Sequence, residues 1–148
     1  MLKNIPKILP PELLAALSEM GHSDRIVLAD ANFPGRSIAG SGHARFIRMD
    51  GIGIPALLEA VLRLMPLDGY VETPVQLMQK MECDRGKDIP IWEDYIRIVE
   101  EQASLGRSAV AFIDRFAFYR EAERAACIVQ TGELSTYANV MLQKGVVL

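Results

Sequence analysis

A short segment at residues 25–29, which is continuously apolar after Arg25, constrains the fold of this chain most strongly. Strands covered on both faces contain few polar residues, and they are typical of mainly parallel sheets between two layers of helices. The segment follows a predicted helix that begins at Pro10 and Pro11 and ends at Gly21. Apolar residues recur at helical spacing within that helix: Leu13, Leu14, Leu17 and Met20. The chain is therefore predicted to begin with a helix that leads into a buried strand.

The rest of the chain alternates between predicted strands and predicted helices. Further strands are predicted at residues 44–49, 71–81, 125–131 and 139–143. Helices are predicted from Pro55 onward and at residues 91–101 and 115–123, whereas residues 109–113 fit either a strand or the beginning of a helix. Residues 31–44 are rich in glycine and are predicted to form a long loop. This order predicts one domain, residues 1–148, with an α/β fold of three layers (α/β/α) around a largely parallel central sheet.

The composition excludes several classes of function. The net charge of −3 and the lack of a basic run leave no electrostatic footprint for nucleic acid. No apolar run approaches the roughly 20 residues that span a bilayer, and the N-terminus lacks the apolar core of a signal peptide. Cys83 and Cys127 are isolated and, with only two histidines, they make a poor set of metal ligands. We therefore expect a cytoplasmic protein that binds neither nucleic acid nor a membrane and holds no metal.

His22 and Asp30 lie just before and just after the buried strand and are the first candidates for acid–base chemistry. His22 follows the end of a helix, where a histidine can simply cap the helix dipole. Asp30 lies at the carboxyl end of a strand, where α/β proteins bind ligands, although aspartate also caps turns there. A strand of about five residues spans about 17 Å, so the two side chains meet only if the chain folds back or a second subunit supplies one of them.

Five further residues have polar or aromatic groups that suit a sugar. The guanidinium of Arg107 can grip hydroxyl groups, or it can simply lie in solvent. Tyr119 lies in a predicted helix, where packing in the core is the alternative to a functional role. Tyr137 and Asn139 are two residues apart, which on an extended chain points both side chains to the same side. Trp92 belongs to an aromatic ridge that fits either the core or a wall on which a sugar ring stacks.

Several short motifs along the whole chain together indicate a protein family. They are Gly21-His22, Ala29-Asp30-Ala31-Asn32-Phe33-Pro34, Ile91-Trp92-Glu93-Asp94-Tyr95, Arg115-Phe116-Ala117-Phe118-Tyr119 and Tyr137-Ala138-Asn139. With them the chain resembles a family of sugar mutarotases that has an L-fucose mutarotase branch and a ribose pyranase branch (FucU and RbsD). No histidine follows His43, which favours the fucose branch, because the ribose branch has a further histidine in its second half. The loop at residues 36–44 departs from the pattern, so the role of His43 stays open.

The resemblance implies a cofactor-free enzyme that interconverts the α and β anomers of a free sugar. It implies an RbsD-like fold and a ring-like homo-oligomer, a decamer in the family, with sites near subunit interfaces. His22 corresponds to the acid–base histidine, Asp30 to the family's carboxylate, and Tyr119 is the candidate for a second proton path, with Tyr137 as the alternative. The implied sugar contacts come from the side chains of Arg107, Tyr119, Tyr137 and Asn139, with Trp92 beside them. A ribose pyranase and a sugar-binding or regulatory module without turnover remain the alternatives.

Overall fold

Six strands form one sheet in a computed structural model that describes residues 2–148. In chain order they are β1 (Arg25–Ala29), β2 (Arg45–Met49), β3 (Val75–Met78), β4 (Val110–Ile113), β5 (Cys127–Thr131) and β6 (Val140–Gln143). Across the sheet they lie in the order β2-β5-β1-β6-β3-β4. Strand β6 is antiparallel to its two neighbours, β1 and β3, and every other pair of neighbouring strands is parallel. The sheet is therefore largely parallel, as the sequence predicts.

Helices cover both faces of this sheet. They are α1 (Pro11–Glu19), α2 (Gly35–Ser41), α3 (Ile54–Leu62), α4 (Ile91–Ala103) and α5 (Arg115–Glu123). Because side chains alternate along a strand, Ile26 and Leu28 of β1 pack in the core with α1, α3 and α4, whereas Val27 and Ala29 pack with α2 and α5. This arrangement confirms the predicted three-layer α/β/α fold and explains why β1 is apolar on both sides.

Helix α2 is the main difference from the sequence prediction, which placed a long loop at residues 31–44. Ile38 and Ala39 of α2 are buried in the smaller of the two cores. Gly35, which favoured the loop prediction, is required by close packing instead, since an added Cβ would lie 2.9 Å from Cε2 of Phe46. Gly35 therefore allows the helix to approach the sheet and does not indicate a flexible loop.

Smaller differences concern the ends of strands. The ambiguous segment at residues 109–113 contains strand β4, and the strand predicted at residues 71–81 is shortened to β3. The last strand begins at Val140, one residue later than predicted, because Tyr137 has a left-handed backbone (φ 58°) that is incompatible with an extended strand. Tyr137 and Asn139 therefore lie just before β6 and not within it.

Two glycines in and after α2 test this account of the helix. An added Cβ at Gly42 would lie 2.0 Å from the backbone oxygen of Glu123, so we expect Gly42→Ala to destabilise the fold by about 1–3 kcal/mol. Gly40 is exposed within α2 and has nothing within 4 Å of an added Cβ. Gly40→Ala should therefore raise the free energy of unfolding by up to about 1 kcal/mol. Urea unfolding at equilibrium measures both changes, and equal stability of the two variants would contradict the structure here.

Candidate active site

An open cavity of about 260 Å³ lies at the carboxyl end of β1. Its lining comes from the segments that follow β1, β3 and β4, from α5 and from the segment before β6. The lining residues are Asp30, Asn32, Phe33, Met78, Met81, Asp84, Arg115, Tyr119, Thr136, Tyr137 and Asn139. The cavity therefore brings together four of the seven residues predicted from the sequence, namely Asp30, Tyr119, Tyr137 and Asn139. Its position fits the rule that α/β sheets bind ligands beyond the carboxyl ends of their strands.

Asp30 is buried and is held by Asn139 from two directions. The backbone N–H of Asp30 donates to Oδ1 of Asn139 at 2.8 Å, and Nδ2 of Asn139 donates to Oδ2 of Asp30 at 2.8 Å. The backbone N–H of Asn32 donates to Oδ1 of Asp30 at 2.9 Å. Burial raises the pKa of Asp30 above its usual value, and the hydrogen bonds from Asn32 and Asn139 counteract part of that rise. The carboxyl group is thus rigidly placed and has an increased affinity for a proton.

Tyr119 provides a hydroxyl group that is free to reorient. Its ring packs edge to face against Phe33, with a centroid distance of 5.5 Å. Its hydroxyl forms no hydrogen bond with another residue among 2–148. A fixed ring with an unengaged hydroxyl is well suited to donate or accept a proton in the cavity.

Tyr137 and Asn139 line the same cavity, but not for the reason that their spacing suggested. Tyr137 is left-handed rather than extended, so the expected alternation along a strand does not apply to it. Its hydroxyl donates to Oδ2 of Asp84 at 2.6 Å. The indole N–H of Trp92 donates to the carbonyl oxygen of Tyr137 at 2.8 Å, and the hydroxyl of Tyr95 donates to that of Ala138 at 2.7 Å. The aromatic residues of α4 therefore hold the unusual backbone before β6.

Trp92 and Arg107 lie away from the cavity within one copy of the chain. The Trp92 ring packs against Phe112 at 4.7 Å in a neighbouring depression, so it forms no wall of the candidate site. Arg107 lies in a short 3-10 turn, where its exposed guanidinium pairs with Glu93. The roles predicted for Trp92 and Arg107 as direct sugar contacts are therefore not supported by the geometry of a single copy.

Arg115 is a lining residue that the sequence reasoning missed. It is the first residue of α5, directly after the N-cap Asp114 at the carboxyl edge of the sheet. Its guanidinium lies 4.7 Å from the centroid of the Phe116 ring, and its Nε is buried without a hydrogen-bond partner in the described part of the chain. Because Arg115 lines the cavity, the fork of N–H donors on its guanidinium is suited to donate hydrogen bonds to ligand oxygens. Its position at the start of a helix after a strand was the signal available in the sequence.

His22 lies at the opposite end of β1 from Asp30. Its Nε2 is 3.1 Å from Oδ1 of Asp68, and the His22 side chain is 42% exposed whereas that of Asp68 is 1% exposed. Asp68 also accepts hydrogen bonds from the backbone N–H of Tyr70 at 3.0 Å and from Nε2 of Gln143 at 2.8 Å. The backbone N–H of Tyr70 contributes most to lowering the pKa of Asp68 to about 2. His22 is therefore an accessible imidazole held by a carboxylate that the sequence analysis did not single out.

The described residues contain neither a metal-binding cluster nor a membrane-spanning helix. Among residues 2–148, no group of three or more His, Cys, Asp and Glu side chains is arranged to hold a metal ion. No helix in this part of the chain combines the length and the apolar character needed to cross a membrane.

Comparisons with known proteins cover almost the whole chain. A sequence profile of the RbsD / FucU transport protein family matches residues 3–147. A fucose mutarotase from Homo sapiens is 50% identical over 147 residues, which cover 98% of this chain and 94% of that protein. The crystal structure of FucU from Bifidobacterium longum has a TM-score of 0.93 at 47% identity and covers 97% of this chain and 99% of that one. A fucose mutarotase from Streptococcus pneumoniae, crystallised in complex with L-fucose, has a TM-score of 0.90 at 45% identity and covers 99% and 100%.

The carboxylate beneath His22 gives a prediction about stability and pH. Asp68→Asn should lower the urea midpoint at pH 7, because an amide cannot accept all the hydrogen bonds that the carboxylate accepts. The pKa of Asp68 is lowered from 3.8 to about 2, so its contribution is complete above pH 4 and is lost as the pH falls toward 2. The difference in urea midpoint between the wild-type protein and Asp68→Asn should therefore shrink as the pH falls from 4 toward 2. Asp50→Asn, at an exposed pair with Arg48, is the control and should show no such narrowing.

Proposed function

Since the chain belongs to the RbsD / FucU transport protein family, we propose that it interconverts the α and β anomers of L-fucose. The observation that carries this proposal is the match over nearly the full chain, in sequence and in fold, with fucose mutarotases, one of them crystallised with L-fucose. The cavity at the end of β1 supports it, because its polar groups suit a small polyhydroxylated ligand. Its volume of about 260 Å³ lies just below the range of roughly 300–1,000 Å³ that drug-sized ligands occupy, as expected for one sugar ring.

The chemistry of mutarotation requires only proton transfers. A base removes the proton from the anomeric hydroxyl, and an acid protonates the ring oxygen as the C1–O5 bond breaks. The C1–C2 bond of the open aldehyde then rotates, and the reverse steps close the ring to either anomer. Each positioned acid or base typically contributes about 10²–10⁴-fold, which is sufficient for a reaction that also proceeds slowly in water.

The cavity supplies groups for these steps. Asp30 accepts hydrogen bonds from sugar hydroxyls, and its raised pKa suits a group that exchanges protons. Tyr119 provides a proton path through its free hydroxyl, and Asn139 keeps the Asp30 carboxylate in place. Arg115, rather than Arg107, donates to a sugar oxygen, because Arg115 lines the cavity and Arg107 does not. Tyr137 contributes a further contact with a sugar hydroxyl.

His22 is the remaining acid–base group, and we propose that a second copy of the chain supplies it. His22 and Asp30 lie beyond opposite ends of the five-residue strand β1, which spans about 17 Å. Exposed apolar side chains occur at both ends: the Tyr70 ring lies 5.4 Å from His22, and Phe116 follows the cavity residue Arg115. Contact between copies would cover both surfaces and complete each site, in the ring-like homo-oligomer (a decamer) that the family resemblance implies. The free cysteines Cys83 and Cys127 support a cytoplasmic location.

Saturation-transfer NMR on L-fucose tests the proposed reaction. We expect the wild-type protein, at low concentration, to accelerate exchange between the two anomeric signals. His22→Ala and Asp30→Asn should each lower the rate by about 10²-fold or more, since each removes an acid–base or hydroxyl-binding group.

A mixture of the two variants tests the shared site. If one copy supplies His22 and another supplies Asp30, subunits exchanged at random should regain roughly a quarter of the sites. Mixtures as inactive as the separate variants would contradict a shared site.

The same NMR measurement distinguishes the alternative functions. Binding of L-fucose without faster exchange would favour a sugar-binding module, and faster exchange of D-ribose than of L-fucose would favour a pyranase.

A matched pair of arginine variants tests which guanidinium contacts the sugar. Arg115→Met should raise KM for L-fucose severalfold or more, because a cavity-lining guanidinium no longer donates to the ligand. Arg107→Met should change KM much less, since the guanidinium of Arg107 is exposed and pairs with Glu93. Anomer exchange measured over a range of L-fucose concentrations gives both values. A larger effect of Arg107→Met would show that the sequence-based choice was right and that Arg107 reaches the site of another copy.

A further inference from the structure

We propose that Asp84 is a positioning residue that fixes the hydroxyl proton of Tyr137, so that Tyr137 meets the sugar only as a hydrogen-bond acceptor. The identity of the sugar rests on the function proposed above. The placement of the proton rests on contacts within this chain alone. The two parts can therefore fail separately.

The first step is the contact between the two side chains. The hydroxyl of Tyr137 lies 2.6 Å from Oδ2 of Asp84, a distance typical of a hydrogen bond to an ionised carboxylate. The other carboxylate oxygen, Oδ1, lies 2.8 Å from Nζ of Lys87. A phenol has a single proton, so a Tyr137 hydroxyl that donates to Asp84 has no proton left for the sugar.

Neighbouring groups keep Asp84 charged and Tyr137 neutral. Lys87, and after it the Tyr137 hydroxyl, hold the pKa of Asp84 below its usual value. The hydrogen bond to Asp84 is in turn the largest cause of a raised pKa for Tyr137. Near neutral pH, Asp84 is therefore an anion that can only accept, and Tyr137 is a neutral phenol that must donate. Of the other titratable groups near the pair, Cys83 also raises the pKa of Tyr137, and Lys80 lowers that of Asp84.

Asp84 and Tyr137 are both held in place by other contacts. Asp84 lies in a loop at residues 80–87, which Lys80 closes by donating from Nζ to the backbone oxygens of Arg85, at 2.9 Å, and of Lys87. Tyr137 is fixed by its left-handed backbone and by the indole of Trp92. Neither side chain needs to move to keep the bond. The backbone N–H of Met81 also donates to the Tyr137 hydroxyl oxygen, at 3.4 Å. Because Tyr137 lines the cavity, the second lone pair of that oxygen can accept from a sugar hydroxyl.

The two tyrosines of the cavity differ in whether their hydroxyl proton is free to move. The hydroxyl of Tyr119 has no partner within residues 2–148, so its proton can move during the reaction. The proton of Tyr137 is committed to Asp84 before any ligand enters. Tyr137 is therefore excluded as the proton donor to the ring oxygen, and it instead recognises a hydroxyl group in a fixed orientation.

A titration without any substrate tests the placement of the proton. In protein labelled at the ζ-carbon of its four tyrosines, Tyr137→Phe assigns the Tyr137 signal. We expect Asp84→Asn to lower the pKa of Tyr137, because the anion that holds its proton is gone. Glu82→Gln removes a charge from the same 3-10 turn, at an exposed pair with Arg85, and should leave that pKa unchanged. An unchanged pKa in Asp84→Asn, or equal changes in both variants, would overturn the proposal.

A reciprocal measurement keeps the test valid if Asp84→Asn does not fold. Tyr137→Phe should raise the pKa of Asp84, followed by carboxyl ¹³C NMR, because the carboxylate loses a donor. No rise in that pKa would overturn the proposal equally.

A double-mutant cycle then tests the consequence for catalysis. In Asp84→Asn, the amide oxygen remains at Lys87 and the NH₂ group turns to Tyr137, where it occupies the lone pair meant for the sugar. We expect KM for L-fucose to rise about tenfold in the wild-type background but less than twofold in Tyr137→Phe. Equal effects in both backgrounds would indicate a merely structural role and would contradict the proposal. If the wild-type protein does not accelerate anomer exchange at all, the proposed function fails, while the titration still decides where the proton lies.

Discussion

The insertion of one antiparallel strand, β6, between β1 and β3 is the constraint on which the site depends. Because β6 runs opposite to its neighbours, its beginning lies at the edge where β1 and β3 end. Asn139, just before β6, thereby reaches Asp30, just after β1. The end of β6 lies at the opposite edge, where Gln143 donates to the carboxylate that holds His22. One short strand therefore positions polar groups at both edges of the sheet.

The two buried carboxylates at these edges are tuned in opposite directions. Asp30 meets the cavity with a pKa raised by burial, so it retains affinity for a proton. Asp68 accepts hydrogen bonds from the backbone of Tyr70 and from Gln143 and has a pKa of about 2, so it stays ionised at any physiological pH. A permanent anion beside His22 can orient the imidazole without giving up its own charge. The chain thus has one buried carboxylate with an increased affinity for a proton and another that stays charged beside an accessible imidazole.

The sequence predicts the parts of the fold that depend on a single repeating pattern. The apolar run of β1 and the regular apolar spacing of α1 and α3 indicate their structures directly. Helix α2 escapes prediction because Gly35 serves close packing against Phe46, a residue that is not adjacent in sequence. The direction of β6 cannot be read from its four residues, since an apolar strand has the same pattern in either orientation.

The candidate site, too, is predictable only where local sequence patterns indicate its residues. The motifs around Asp30, Tyr119 and Asn139 indicate residues that the cavity does bring together, although Tyr137 reaches it through a left-handed backbone rather than an extended one. Arg115 and Asp68 were missed because their importance comes from burial and from distant partners, and neither is visible in local spacing.

The separation of His22 from Asp30 was, by contrast, predictable from strand length alone. A rigid strand cannot bend its two ends together, so a catalyst that needs both groups at one sugar must take them from two chains. Assembly would then be a requirement of the chemistry and not only a source of stability. Such an assembly would also cover the apolar side chains that stay exposed beside His22 and beside the cavity.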